Sequence, residues 1–344
     1  MADTQPPGRH RRGRLAWQPR PDSRAGGRAR LTRIMVIGAA VVTVAAIAVV
    51  GTLQGRAGDG GPASPTSAGP AAPHKPRTLL GVYVPGVPQS WAGIRTFTAT
   101  TGVKPGVVVY YSGWREPFQA RFAAIAAEHD ATPLVHIDPT GVDLSAIASG
   151  RYDSYLRSYA SAVKAYGGSV IISFAPEMNG YWYSWAHRHT SPAVYIAAWR
   201  HVVTVFRAAD AENVTWLWTV NVIDSKRGIP SPARWWPGSS YVTWVGIDGY
   251  YLKPSWTFAS LFGPTIKAVR GQTLAPIMIS ETAAMPAAGK PAKIVDLFAG
   301  VRKYGLLGFI WFDVNKDHQD WRLIGRAATA AYRRSAHAYL GPQL

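Results

Sequence analysis

The chain has 344 residues, a formal net charge of +18 and no cysteine. The absence of thiols excludes disulfides and thiolate metal sites, and the length suits one large domain or two ordinary ones. The charge is uneven: residues 1–33 carry nine Arg against two Asp, and residues 78–344 carry 25 Lys and Arg against 16 Asp and Glu. A nucleic-acid binder would place its basic residues on a folded face, so an Arg-rich tail argues against that reading. The remaining positive balance suits a solvated basic surface or an acidic partner.

Residues 1–33 read as a basic cytoplasmic tail. Residues 34–53, "IMVIGAAVVTVAAIAVVGTL", form a run of 20 residues without a charge, the length of a single transmembrane helix. The Arg-rich flank before it places the N-terminus in the cytoplasm and the bulk of the chain outside the cell. A cleaved signal peptide, which would leave a secreted protein, is the rival reading. Residues 54–77 are rich in Gly, Pro, Ala and Ser. Such a stretch has little to bury and reads as a disordered linker.

From residue 78 to 344 the pattern is that of one folded domain. Strand-length apolar runs occur at 79–85, 106–114, 132–139, 169–177, 214–221, 244–251, 276–283 and 307–314, bounded by Gly, Pro and Asp. Helical patterns separate them. Ile196, Trp199, Val203 and Phe206 share one helix face, and residues 120–130 and 294–304 read similarly. Between the fifth and sixth strands, "SPARWWPG" supports only a short helix. Eight such units predict an α/β fold of the (β/α)8 TIM barrel type. A doubly wound open sheet is the alternative, but "GVYVPGVP" after the first strand lacks the Gly-rich phosphate turn that such sheets carry.

A barrel gathers its chemistry at the C-terminal ends of its strands. Those ends carry Trp114, His136, Asp138, Glu177, Asn221, Asp248, Tyr250, Glu281, Trp311 and Asp313. Strand alternation places Ser173 and Ala175 inward with Glu177, and Ile277 and Ile279 inward with Glu281. Two facing carboxyls beside aromatic side chains suit glycosidic bond cleavage, which needs one protonated and one ionised carboxyl group. Strand-end acids also form ordinary salt bridges, so the pair alone leaves both readings open. His187 and His189 flank Arg188 in a loop without a closed ligand set, so no metal is assigned there.

The segment "FAPEMNGYWYSW" (174–185) with "YIAAWRHVVTVFRAADAENVTWLWTVN" (195–221) resembles glycoside hydrolase family 26. So do "YVTWVGIDGYY" (241–251), "PIMISETA" (276–283) and "GFIWFDVNKDHQDWRL" (308–323), in the same order. The resemblance implies a retaining endo-hydrolase of β-linked polysaccharide, with β-1,4-mannan as first substrate and mixed-linkage β-glucan or xylan as alternatives; the uncharged run at 34–53 adds the expectation that it is membrane-tethered and extracellular. It implies Glu177 as general acid/base and Glu281 as nucleophile, with Tyr250 orienting the latter. It implies Trp182 and Trp311 against sugar rings and Asn221 and Asp248 in supporting places. His136 and Trp114 join them as strand-end candidates for the cleft. No cofactor is implied, and a monomer is expected. Asp320, Trp321 and Arg322 fit the family pattern and read as structural.

Two positions depart from that pattern. Many members have His before the acid/base, where this chain has Pro176, and Arg in the strand before it, where the nearest inward residue is Ser173. The losses bear on mannan specificity more than on hydrolysis. They also keep open a second class of function, an inactive glycan-binding protein on the same scaffold.

Overall fold

Leu79–Tyr83 (β1) pairs in parallel with both the second and the last strand of the sheet, and that double pairing closes it. The barrel continues through Val107–Gly113 (β2), Thr132–Asp138 (β3), Val170–Phe174 (β4), Val214–Asn221 (β5), Trp244–Asp248 (β6), Ile277–Thr282 (β7) and Gly308–Phe312 (β8), each hydrogen-bonded to the next. This computed structural model describes residues 79–285, 287–316 and 319–341. The expected tail (1–33), transmembrane helix (34–53) and linker (54–77) lie outside the described residues. Among the described residues, no helix is long and apolar enough to cross a membrane.

Helices Ala92–Thr101 (α1), Ala120–Glu128 (α2), Leu144–Ala148 (α3), Asp153–Tyr166 (α4), Pro192–Ala208 (α5), Phe258–Arg270 (α6), Lys290–Lys303 (α7) and Arg326–Leu340 (α8) connect the strands. Helix α5 shows the local logic. Ser191 caps it by accepting from Val194 N, and Pro192 opens it where no amide donor is needed. Trp199, Val203 and Phe206 are then buried along one face. Between β5 and β6 there is no α-helix but three 3-10 turns, the middle one at Pro232–Trp235. Pro230, Pro232 and Pro237 in this stretch lack the amide donors a longer helix requires.

Side-chain alternation fills the barrel. Val107, Val109, Leu134, Ile171, Leu217, Met278 and Ile310 form its apolar floor. Small polar residues lie above it: Ser173 Oγ donates to Thr219 Oγ1 at 2.7 Å. Gly246 leaves room for them, since a Cβ there would fall 2.3 Å from Ser280 Oγ and 2.9 Å from Thr219 Oγ1.

Strict alternation fails on β7. Gly246 and Asp248 of β6 pair with Met278 and Glu281, and Ile279 and Thr282 pair with Phe309 and Trp311 of β8. Strand β7 therefore carries one extra residue against both neighbours, a β-bulge. Met278 joins the interior and Ser280 bonds Asp248, while Ile277 and Ile279 belong to the larger core cluster. The expectation that Ile277 and Ile279 face inward with Glu281 is thus corrected. The bulge restores Glu281 to the mouth after two residues of the opposite phase.

Candidate active site

Glu177 lies beyond the end of β4, which stops at Phe174 rather than at the expected residue 177. Ala175 (φ 45°) and Glu177 (φ 55°) adopt left-handed conformations, a strain of roughly 1–3 kcal/mol each that surrounding contacts must overcome. Those contacts are present. Ala175 N donates to Ile137 O (3.0 Å) and Glu177 N to Thr219 O (2.9 Å), so both neighbouring strands hold the turn. Trp185 Nε1 also donates to Pro176 O at 2.7 Å.

Glu177 is 3% exposed. Trp182 Nε1 donates to its Oε2 at 2.9 Å, and Asn221 Nδ2 donates to its Oε1. Asn221 is itself fixed by Asn179, whose Oδ1 accepts from Asn221 N (2.8 Å) and whose Nδ2 donates to Asn221 O (2.9 Å) and Pro230 O (3.1 Å). The "EMN" triplet thus contains both the carboxyl and the residue that positions its amide partner. Burial, then the charge of Glu281, pushes Glu177 up to about 8, against the pull of the Asn221 and Trp182 donors and of Arg227.

Glu281 is 6% exposed. Tyr111 OH donates to its Oε2 and Tyr250 OH to its Oε1. Burial raises its pKa, opposed by these two phenols and by the positive charge of Lys316. Phenol donors favour the ionised carboxylate, and that charge adds to burial in raising Glu177.

Two more acids share the mouth. Asp138 is raised well above the carboxylate range by burial and then by the charges of Glu177, Glu281 and Glu116, and its Oδ1 has no hydrogen-bond partner among the described residues. Asp248 is raised likewise by burial, Glu177 and Glu281, and accepts from Ser280 Oγ at 2.5 Å. His136 stacks on Tyr111 with ring centroids 5.2 Å apart, and burial lowers its pKa to about 3, which leaves it neutral.

Two aromatic assignments are corrected. Trp114 follows β2 in the phase of Ser112, packing on Tyr152 and Tyr155 of the helix layer and on Phe174. Trp311 is 1% exposed, donates to Trp321 O at 3.1 Å and packs on Tyr332 of α8. Both belong to the packing behind the wall. The ring that reaches the mouth from β8 is Phe312, which stacks on Tyr83 at 5.1 Å and meets Tyr250 edge-on at 5.9 Å.

Tyr83, Tyr111, Asn179 and Phe312 were not singled out from the sequence. Counting β2 by twos from the inward Val107 and Val109 reaches Tyr111, so its signal was present. Trp321 supports Tyr250 from behind at 4.9 Å. Its neighbours Asp320 and Arg322 pair through two 2.8 Å contacts, and Lys290 Nζ donates to both their carbonyls at 2.9 and 2.7 Å. Asp313 accepts from Leu323 N at 2.5 Å and takes the same anchoring role. His187 Nδ1 lies 2.5 Å from Gly180 O, tying down the loop after Glu177. Among the described residues, no three His, Cys, Asp or Glu gather to hold a metal ion.

Removal of the Tyr111 phenol is expected to raise the Glu281 pKa further. In Tyr111→Phe the acidic limb of the pH–rate profile should move to higher pH and kcat should fall about tenfold, the worth of one hydrogen bond to a charged group. An unmoved acidic limb would place Tyr111 outside the machinery.

A parallel barrel with paired, buried carboxyls at its mouth and aromatic rings around them has the form of a sugar-cleaving barrel enzyme. The Glycosyl hydrolase family 26 model matches residues 143–323, more than half of the chain. The chain belongs to this family. Endoglucanase H of Acetivibrio thermocellus is 30% identical over 276 residues, covering 75% of this chain. The chain spans 30% of that protein's length. Among solved structures, a GH26 beta-mannanase from Bacteroides ovatus superposes with a TM-score of 0.57 at 14% identity, over 77% of this chain and 90% of that one. A Cellulomonas fimi endo-beta-1,4-mannanase double mutant gives 0.60 at 14% identity, over 77% and 71%. At such identities the likeness is one of fold.

Proposed function

We propose that this barrel is a retaining endo-β-glycanase in which Glu177 is the acid/base and Glu281 the nucleophile. The unequal environments of the two carboxyls support the reading most. Glu281 receives two phenol donors and a nearby lysine charge, and Glu177 is pushed up to about 8 by burial and then by the charge of Glu281. The arrangement favours the proton on Glu177 and the charge on Glu281, the division between two carboxyls that glycoside hydrolysis requires.

In the first step, Glu281 attacks the anomeric carbon while Glu177 gives its proton to the departing glycosidic oxygen. A covalent glycosyl–enzyme forms and the leaving sugar departs. Glu177, now ionised, takes a proton from water, which attacks the anomeric carbon and frees Glu281. Trp182 and Asn221 hold Glu177 through both protonation states. Tyr250 and Tyr111 hold Glu281. Trp182 lies half-buried on a cavity of about 370 Å³ together with Asn221 and Tyr250, where its ring is placed to meet a sugar face.

The substrate is a β-linked polysaccharide, β-1,4-mannan as first candidate in keeping with the mannanases that share the fold. Mixed-linkage β-glucan is the second reading, and specific observations favour it. Ser173 is buried and bonded to Thr219, and Pro176 offers only a carbonyl, already taken by Trp185. Neither position presents a side-chain donor to a sugar, and the 30%-identical relative is named an endoglucanase. The uncharged run at 34–53 behind an Arg-rich tail supports a membrane tether, with the barrel outside the cell.

One experiment tests these points together. Membranes from cells producing the full chain are washed with carbonate and incubated with mannan, mixed-linkage glucan and xylan. Oligosaccharide products of several lengths are expected, with activity that sediments. Glycan binding without product release would make the barrel a binding protein, and fully soluble activity would remove the tether.

A further inference from the structure

The cavity beside Glu177 has a charge that neutral mannan or glucan does not call for. Its walls come from the loops after β5 and β6, and Trp182 and Asn221, the two donors to Glu177, form part of them. Three cations, Lys226, Arg227 and Lys253, line it against one carboxylate, Asp224. Asp224 does not neutralise them by direct pairing. It caps the 3-10 turn by accepting from Arg227 N, at 3.2 Å from Oδ1, and makes no ion pair among the described residues.

Arg227 is half-buried, and its guanidinium makes no hydrogen bond or salt bridge among the described residues. A half-buried, unpaired guanidinium has lost part of its hydration without a partner in exchange. Lys253 Nζ lies 5.6 Å from the ring centroid of Trp256, which also lines the cavity. An aromatic face with a cation above it and an open guanidinium nearby matches a sugar ring bearing a negative group. The ring provides an apolar platform, and the planar guanidinium fork fits a carboxylate through two parallel N–H donors.

We propose that this cavity is a subsite for a carboxylate-bearing sugar unit, recognised by Arg227 with Lys253 and Trp256, so that the β-glycan cleaved, manno- or gluco-configured in its backbone, carries acidic units. This rests on the reading of the barrel as a glycosidase and adds the charge of its substrate. The cavity touches Glu177 through its two hydrogen-bond partners, so the acidic unit lies next to the bond being cleaved. The folded domain carries 25 Lys and Arg against 16 Asp and Glu, a balance that attracts such a polymer over longer range.

The test separates the charge of the substrate from the chemistry. Equilibrium binding is measured on the full chain carrying Glu281→Gln, with neutral β-1,4-gluco- and manno-oligosaccharides and the same oligosaccharides oxidised at C6 to carboxylates. The oxidised member of at least one pair should bind about tenfold more tightly at low salt, the worth of one charge-assisted contact. That preference should shrink in Arg227→Gln, shrink less in Arg227→Lys, and fall again in Lys253→Gln. Equal affinity within both pairs, or a preference that Arg227→Gln and Lys253→Gln leave untouched, overturns the proposal. If the preference is found but the unsubstituted chain cleaves neither neutral nor oxidised glycan, the glycosidase reading fails while the acidic subsite stands.

Discussion

Replacing Glu281 with alanine is expected to lower kcat by roughly 10⁴-fold or more, the scale seen when a covalent nucleophile is removed. The loss should not come from unfolding. Glu281 is a buried acid whose burial disfavours its charge, and its two partners, Tyr111 and Tyr250, carry hydroxyls beside the cleft that water can reach once the carboxylate is gone. Circular dichroism and thermal melting should therefore match the unsubstituted chain while turnover disappears. Activity within tenfold of the parent would remove Glu281 from the nucleophile's place.

The second large effect concerns stability. Glu177 has its folded-state pKa raised from 4.5 to about 8. The folded protein therefore binds more protons than the unfolded chain between those values, and this group's contribution to stability falls as pH rises through that window. Glu177→Gln keeps an oxygen acceptor for Trp182 or Asn221 and removes the ionisation. The variant should gain stability over the parent above about pH 5, with the gain growing to a plateau near pH 8 on the order of a few kcal/mol. It should also lose nearly all turnover on substrates with poor leaving groups, since no proton remains to give. In the parent, the basic limb of the pH–rate profile reports the same group and should fall near pH 8. A melting-temperature difference independent of pH would mean that Glu177 is charged in the folded state throughout the range.

Much of this was legible in the sequence because strand-length apolar runs alternate with helices across the whole folded region. The eight strands lie where the runs lie, and Glu177, Asn221, Asp248, Tyr250 and Glu281 all come to the mouth because each stands at or just beyond a strand's C-terminal end. Alternation misled where it was carried through an irregularity. The β7 bulge adds a residue that no local composition marks, so alternation assigns Ile277 and Ile279 to the wrong face although Glu281 does reach the mouth. Trp114 and Trp311 were chosen for being aromatic and near strand ends. Their phase, read from the interior residues Val109 and Ile310, sends them to the helix side and selects Tyr111 and Phe312 instead. Asn179 could not be read at all, because its role depends on backbone contacts with Asn221 and Pro230, 42 and 51 residues away.

The prolines at 176, 230, 232 and 237 have a related effect. They replace donors and a helix with fixed turns, and the loop that the last three shape between β5 and β6 carries Arg227 at the cavity beside Glu177. Departures from the family pattern around Glu177 and the basic lining of that cavity thus lie on adjoining parts of one cleft. The cavity beside Glu177 is built by loops, while the barrel beneath holds the two carboxyls.

The most direct measurement uses Glu177→Ala with an aryl β-oligosaccharide whose dinitrophenolate leaves without protonation. Formation of the glycosyl–enzyme should proceed, and its hydrolysis should stall for want of a base. A burst of dinitrophenolate is expected, followed by a glycosyl adduct that peptide mass mapping locates on Glu281. Release of dinitrophenolate without any adduct, or an adduct on a different carboxyl group, would contradict the account.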